Sequence, residues 1–202
     1  MGLERGQLIG PQAADLADPI LQFVEGGRLQ AVQAHAGIVG GFVVGDQARV
    51  TVSVGVSPDE AFEIFTQQID LWWRRGPKYR HLGGERALIA IEPREGGRVF
   101  ESAGAGGPVQ EIGHVLAWQP PSRLLFEWRN AAFSPAERTE VEVVFEAAGE
   151  GTRVTVTHRG WATIRADHPA RHGKAVPVFV GELGRWWGEQ MSSYRLAAKA
   201  RA

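Results

Sequence analysis

The feature that most constrains the fold is a long segment near the C-terminal end, residues 175–199. The apolar residues that recur along it at helical spacing are Val176, Val180, Leu183, Trp187, Met191, Tyr194 and Ala198. Pro177 falls in the first turn, where a missing backbone N–H costs least. The pattern predicts one helix that faces a hydrophobic core along its whole length.

Beside this apolar stripe runs a ridge that is almost free of side chains, formed by Gly181, Gly184, Gly188 and Ser192. Each glycine costs roughly 1 kcal/mol of helix propensity relative to alanine, so we expect a compensating benefit. Either another backbone packs closely against the ridge, or the ridge leaves room for a ligand. Close packing on a sheet is the more common of these two arrangements.

The composition is that of a globular protein, with 44% hydrophobic and 22% charged residues in a chain of 202. The net charge of −1 and the lack of a basic cluster predict that nucleic acid is not a partner. Because there is no cysteine, disulfides, thiol catalysis and thiolate metal sites are excluded. No signal peptide or membrane span is evident, so we expect a cytoplasmic protein that does not bind membranes.

The chain divides by its sequence pattern into an N-terminal extension, residues 1–47, and one larger domain, residues 48–202. In the extension, Ala13–Val24 predicts a short helix broken near Pro19. The glycine-rich segment that follows shows no clear hydrophobic periodicity. The domain opens with a strand in which valines alternate with polar residues. A capping box with proline at the first helical position, residues 57–60, then predicts a helix.

From residue 86 to residue 161 the chain reads as strands joined by short turns. Strands are predicted near 87–92, 98–102, 109–118, 123–130, 138–147 and 152–159. Consecutive short connections predict an antiparallel meander. A last hairpin turning at residues 148–151 places Glu146 opposite Arg153 and Val141 opposite His158, which separates charged from apolar pairs. With the flanking helices, the fold class is α+β.

Several stretches resemble a known family. They are residues 52–73, the paired glycines of 92–98, residues 113–116, the Pro-Pro hairpin of 120–128 and the strand of 151–161. Together they are similar to the family of the activator of Hsp90 ATPase homologue 1 (AHSA1-like), in the START-like (SRPBCC) superfamily. The resemblance covers residues 48–200. It implies a helix-grip fold, in which a curved antiparallel sheet wraps around the C-terminal helix and encloses a cavity that the glycine ridge would help to keep open.

The aromatic residues suggest where such a cavity would lie. Seven tryptophans is a high count, and the ordinary interpretation is a core filled with large rings. The functional interpretation is an apolar ligand site. Its predicted residues are Phe100, Glu111, Phe126, Trp128, His158, Gly184, Trp187, Gly188 and Met191. Glu111 and His158 would be its few polar groups, although a satisfied core histidine is the more common role for His158.

Neither a metal site nor a cofactor motif is predicted. His168 and His172 have the i, i+4 spacing of a zinc helix, but Pro169 takes the place of the catalytic glutamate and no third ligand is evident. No set of nucleophile, base and oxyanion donors can be assembled. The sequence therefore predicts a non-enzymatic module that binds an apolar small molecule or a protein partner, which includes a second copy. The alternative is a cyclase or hydrolase of the SRPBCC type that acts on a hydrophobic substrate in the same cavity.

One further prediction concerns the outer face of the sheet. If Val115 and Phe126 point inward, strict alternation turns four apolar residues outward: Ile112, Leu116, Trp118 and Leu125. Apolar patches of this kind usually meet a partner. We expect the segment Ala13–Val44 or a second copy of the chain to cover this patch.

Overall fold

The computed structural model of the chain describes residues 22–25, 28–31, 45–82, 86–129 and 132–202. The chain divides into two units, residues 1–35 and 36–202. The described part of the first is an antiparallel hairpin of β1 (Gln22–Glu25) and β2 (Arg28–Ala31). The helix predicted over Ala13–Val24 is therefore wrong at its C-terminal end, which is a strand, and the rest of it lies outside the described residues.

The second unit contains one seven-stranded antiparallel sheet with the order β3-β9-β8-β7-β6-β5-β4. Its strands are β3 (Gln47–Val54), β4 (Leu88–Ile91), β5 (Arg98–Ser102), β6 (Val109–Gln119), β7 (Arg123–Trp128), β8 (Thr139–Ala148) and β9 (Gly151–Arg159). Consecutive strands from β4 to β9 are neighbours, which confirms the predicted meander. The last hairpin has the predicted register, with Glu146 opposite Arg153 and Val141 opposite His158.

The helices are α1 (Pro58–Thr66), α2 (Ile69–Trp72) and α3 (Val176–Lys199), with 3-10 turns at Trp161–Thr163 and Pro169–Arg171. The predicted capping box begins α1, since the Ser57 hydroxyl accepts from the N–H of Glu60 and the Glu60 carboxylate accepts from the N–H of Ser57. In the described part of the chain, no helix is both long enough and apolar enough to cross a membrane.

The long helix α3 packs its predicted stripe against the sheet and the short helices. Val180, Trp187, Met191, Tyr194 and Ala198 are buried in one core with residues from α1, α2 and the inner face of the sheet. The Tyr194 hydroxyl donates to the carbonyl of Ala61 and fastens α3 to α1. The architecture is the predicted α+β helix-grip fold, a curved sheet wrapped around a C-terminal helix.

The apolar patch predicted on the outer face loses Ile112 and Trp118, because two irregularities interrupt the alternation of β6, whereas Leu116 and Leu125 are half-buried. The register shifts opposite Val99 and Phe100 and again between Val115 and Ala117. Ile112 is consequently buried in the core, and Trp118 packs edge-on against Phe62 of α1, with ring centroids 5.1 Å apart. Each inserted residue returns the following side chains to the opposite face.

Candidate ligand-binding site

Four tryptophans pack into one group between the sheet and α3, here termed the tryptophan cluster: Trp73, Trp128, Trp186 and Trp187. Every pair of the four has ring centroids between 5.1 and 6.3 Å apart. Trp73 and Trp128 are stacked at an interplanar angle of 24°, and the other pairs meet edge to face. Offset and edge-to-face contacts are the favoured geometries of aromatic pairs.

The cluster is buried at one end and open at the other. Trp73 and Trp187 are buried, whereas Trp128 and Trp186 are only half-buried. Two rings of the loop after α2 flank the open end. The exposed His81 lies 6.3 Å from Trp128, and Tyr79 lies 6.1 Å from Trp186. The cluster therefore presents ring surface to the outside of the domain.

A chain of hydrogen bonds supports the buried end. The indole N–H of Trp187 donates to Nδ1 of His158 at 3.1 Å, and Nε2 of His158 lies 2.9 Å from the hydroxyl of Thr139. That hydroxyl gives its only hydrogen to the carbonyl of Trp128 at 2.9 Å. It must therefore accept from Nε2, so His158 is neutral with its proton on Nε2.

The environment of His158 excludes the charged ring. Burial lowers its pKa from 6.5 to about 3. A proton on Nδ1 would also face the indole N–H of Trp187, donor against donor. Both ring nitrogens are used inside the protein, so His158 has neither a lone pair nor an N–H left for a ligand.

The loop after α2 closes over the cluster and is tied to α3. The Trp186 indole donates to the carbonyl of Lys78 at 3.0 Å, and the N–H of Arg74 donates to Oε1 of Gln190 at 3.0 Å. The Glu189 carboxylate accepts from both Lys78 and Tyr79, which holds its pKa below the ordinary range. These contacts fix the loop against one flank of α3.

A buried arginine holds the other side of this loop. The guanidinium of Arg80 donates to the carboxylate of Asp70 and the carbonyl of Ala87, each at 2.7 Å, and to the carbonyl of Trp73 at 3.0 Å. Desolvation acts to raise the pKa of Asp70, but the N–H of Ile89 and the Arg80 charge outweigh it and keep this pKa below its usual value. The ion pair thus positions Trp73.

The predicted site residues fall into three groups. Phe126, Trp128, His158, Trp187 and Met191 come together in and beneath the cluster, and all but Trp128 are buried. Their rings fill the space where the cavity was predicted.

Phe100 and Glu111 lie elsewhere, which corrects their prediction as cavity residues. They are paired across β5 and β6 on the outer face, because Val99 and Glu101 take the inner positions of β5. The Arg98 guanidinium lies 4.8 Å from the centre of the Phe100 ring, and Glu111 is exposed beside His114.

Gly184 and Gly188 belong to the glycine ridge, which runs along a different face of α3 from Trp186. A Cβ added at Gly181 or Gly184 would meet no atom of the described residues within 4 Å, so none of the described backbone packs against the ridge there. At 100° per residue, Gly184 lies about 160° around α3 from Trp186 and about 60° from Trp187. The open space at the ridge therefore lies away from Trp186, the half-buried tryptophan of α3.

A separate cleft of about 490 Å³ lies between α2 and α3. Leu71 and Leu196, at its rim, are 76% and 66% exposed. Trp72, Trp73 and Ala197 also line it. Asp70, Arg74, Arg75 and Ser193 line the cleft as well, so its surface is mixed rather than apolar.

Metal ligands do not gather in the part of the chain that the structure describes, where no group of three or more His, Asp or Glu residues could hold an ion. His168 instead caps a 3-10 turn, with Nδ1 accepting from the N–H of Ala170 and Nε2 lying 3.1 Å from the carbonyl of Ala132. His172 ends the same turn. Both histidines are loop residues before α3, as the sequence predicted.

Comparison with known families decides the relationship that these features suggest. The profile of the family "Activator of Hsp90 ATPase homolog 1-like protein" matches residues 55–176. The chain belongs to this AHSA1-like family. No curated protein matches the chain.

Solved structures share the AHSA1-like fold at low sequence identity. The Aha1 dimer from Colwellia psychrerythraea is 15% identical, with a TM-score of 0.53, over 76% of this chain and 96% of that one. An HSP90 activator from Plasmodium falciparum is 16% identical, with a TM-score of 0.50, over 75% of this chain and 94% of that one. The anthrahydroquino-gamma-pyrone synthase Txn09 is 30% identical, with a TM-score of 0.48, over 75% and 96%.

The sequence did not predict several residues of the site in this AHSA1-like chain. The two Trp-Trp pairs, residues 72–73 and 186–187, were the available signal. In each pair one ring points into the core and its neighbour turns toward the loop after α2. Glu101 was missed because a charged residue in a strand ordinarily faces solvent.

Proposed function

We propose that the protein binds a planar aromatic molecule at the open end of the tryptophan cluster. The observation that carries this proposal is the half-burial of Trp128 and Trp186 within a group of four indoles that are all in mutual contact. Here two keep accessible faces, with His81 and Tyr79 beside them.

The physical chemistry of the cluster favours such a ligand. Indole rings offer large apolar area and stack with other rings, and each aromatic pair adds about 0.5–1.5 kcal/mol beyond area burial. Trp73, Trp128 and Trp187 are pre-positioned by α2, β7 and α3, so little ordering free energy remains to be lost on binding. The ligand would lie against Trp128 and Trp186.

We infer that His158 does not serve as the proton-exchanging group of a cyclase or hydrolase at the cluster. A cyclase or hydrolase in the same place needs a group that can exchange a proton with its substrate. His158 is the histidine nearest the buried end of the cluster, and both of its ring nitrogens are engaged by Trp187 and Thr139.

The test is a fluorescence titration with 2-methoxynaphthalene. Trp128→Leu removes a half-exposed ring and should weaken the affinity at least tenfold. Trp118→Leu is the matched control, because Trp118 is a half-buried tryptophan at the other end of the sheet, against Phe62. Circular dichroism checks that both variants fold. Equal loss of affinity in the two variants, or loss in neither, would contradict the proposal.

A second candidate function, self-association, has its own observation in the two exposed leucines of the cleft. We propose that Leu71 of one copy meets Leu196 of the other across a two-fold axis. The related structure from Colwellia psychrerythraea is described as a dimer. Sedimentation should show a concentration-dependent dimer that Leu196→Ser abolishes. Val178→Ser is the control, because Val178 is 57% exposed near the opposite end of α3. A monomer at all concentrations would contradict this candidate.

A further inference from the structure

Glu101 is a buried carboxylate with one unpartnered oxygen. It lies on the inner face of β5, next to Ile89 of β4, and only 1% of its surface is exposed. Its Oε2 accepts the backbone N–H of Leu82 at 3.0 Å. Its Oε1 is buried and has no hydrogen-bond partner among the described residues.

Among the described residues, the cross-strand neighbours of Glu101 do not supply the missing partner. Gln110, opposite Glu101 on β6, donates its side-chain amide to the carbonyl of Glu111 at 2.9 Å. Ile89 is apolar. An ionised carboxylate needs a donor at Oε1, and a protonated one would need an acceptor for its hydrogen. Burying such a group without a partner is costly, which indicates that something else completes its hydrogen bonding.

Two consecutive loop residues connect Glu101 to the tryptophan cluster. The ring of His81 contacts Trp128, and the next residue, Leu82, donates to Glu101. A path across the sheet also leads from Trp128 to Glu101. The end of β7 lies beside Gly113 of β6, and Gly113 pairs with Val99 of β5. Glu101 follows Val99 by two residues. Two strand spacings and two residue rises separate the backbones of Trp128 and Glu101 by about 12 Å.

We propose that Glu101 is the polar anchor of the ligand site and that the ligand is a fused-ring phenol. Its rings would lie on Trp128 and Trp186, and its hydroxyl would reach beneath His81 and Leu82 to donate to Oε1 of Glu101. The separation suits a bicyclic or tricyclic molecule. An O–H to carboxylate bond is charge-assisted and roughly twice as strong as a neutral one. This inference rests on the proposed function and adds the chemical class of the ligand.

The test compares 2-naphthol with 2-methoxynaphthalene, which has the same rings and oxygen but no donor. The full-length protein should bind 2-naphthol at least tenfold more tightly, and the backbone amide signal of Leu82 should shift with 2-naphthol alone. Equal affinities would overturn the role of Glu101 and leave aromatic binding intact. Absence of binding by either probe would overturn both.

Glu101→Gln replaces the carboxylate by an amide that can donate to the oxygen of either probe, and should therefore bring the two affinities together. Glu127→Gln is the matched control, because Glu127 is a half-buried carboxylate on the outer face, beside His114 and Arg138. It should keep the full preference for 2-naphthol. If Glu101→Gln keeps that preference, or if the Leu82 amide does not move in the unmodified protein, Glu101 is not the anchor.

Discussion

The indole N–H of Trp187 donates to Nδ1 of His158, which joins α3 to the last strand of the sheet through two buried side chains. This bond belongs to a series that runs from Trp187 through His158 and Thr139 to the carbonyl of Trp128. The direction of each bond in the series is determined, because the indole at one end can only donate and the carbonyl at the other end can only accept. The pair therefore fixes the tautomer of His158 and the orientation of two cluster rings together.

We expect this pair to make stability depend on pH. Because burial lowers the pKa of His158 to about 3, the unfolded state takes up a proton first as the pH falls below about 6.5. The free energy of unfolding should then fall by about 1.4 kcal/mol for each pH unit between those values. His158→Gln removes this contribution, so its stability should fall less steeply in urea titrations from pH 6.5 to pH 4. Parallel curves for the two proteins would contradict the assignment.

A second prediction concerns Thr139, which stands in the middle of the hydrogen-bonded series from Trp187 to the carbonyl of Trp128. Thr139→Val leaves the Nε2 hydrogen of His158 and the carbonyl of Trp128 without partners in the core, which should cost about 1–3 kcal/mol. Thr157→Val is the control, because Thr157 is half-buried on the outer face of the same sheet, opposite Arg49 and Glu142. Its effect should stay within about 0.5 kcal/mol. Chemical denaturation measures both, and equal effects would argue against a buried relay.

Arg80 should matter far more to stability than the other arginine on the same carboxylate. Arg80→Met leaves the Asp70 charge and two carbonyls without their buried donor, which should cost about 3 kcal/mol. Arg75 also contacts Asp70, but its side chain is 44% exposed. Arg75→Met should therefore cost less than about 1 kcal/mol. Thermal and urea unfolding of both variants check the ranking, and a reversed order would contradict it.

The two most informative glycines should respond in opposite directions. Gly184→Ala places a methyl group in open space and should stabilise α3 by about 1 kcal/mol. At Gly113 a Cβ would lie 2.1 Å from the carbonyl oxygen of Glu127, so Gly113→Ala should destabilise the domain by about 1–3 kcal/mol. Calorimetry measures both, and a destabilised Gly184→Ala would show that the ridge is a packing contact.

The sequence predicted the elements and the last hairpin because local signals determine them. The capping box at Ser57, the apolar stripe of α3 and the charge pairs of Glu146 with Arg153 are all properties of neighbouring or directly opposed residues. The fold followed from those elements and from the family resemblance. The prediction of an apolar patch on the outer face failed for Ile112 and Trp118 because of bulges. Strict alternation of apolar and polar residues cannot show where β6 contains an extra residue.

The candidate site was predictable only in part, because its residues meet through tertiary contacts. Phe126, Trp128 and Trp187 follow from strand and helix faces, but Trp73 and Trp186 depend on how the loop after α2 folds back over α3. The Glu101 oxygen that has no partner among the described residues is likewise a property of packing. No residue spacing in the sequence predicts that a carboxylate is buried while its cross-strand neighbour, Gln110, hydrogen-bonds to the carbonyl of Glu111 instead.

The most direct test of aromatic binding at the cluster uses the seven indole N–H groups as reporters. A ¹H–¹⁵N spectrum of the protein should show the indole signals of Trp128 and Trp186 moving progressively as 2-methoxynaphthalene is added. Those of Trp118 and Trp161, which lie outside the cluster, should remain in place. Saturable shifts confined to the cluster are the predicted result. Shifts at Trp118 or Trp161 without any at Trp128 and Trp186 would contradict the account.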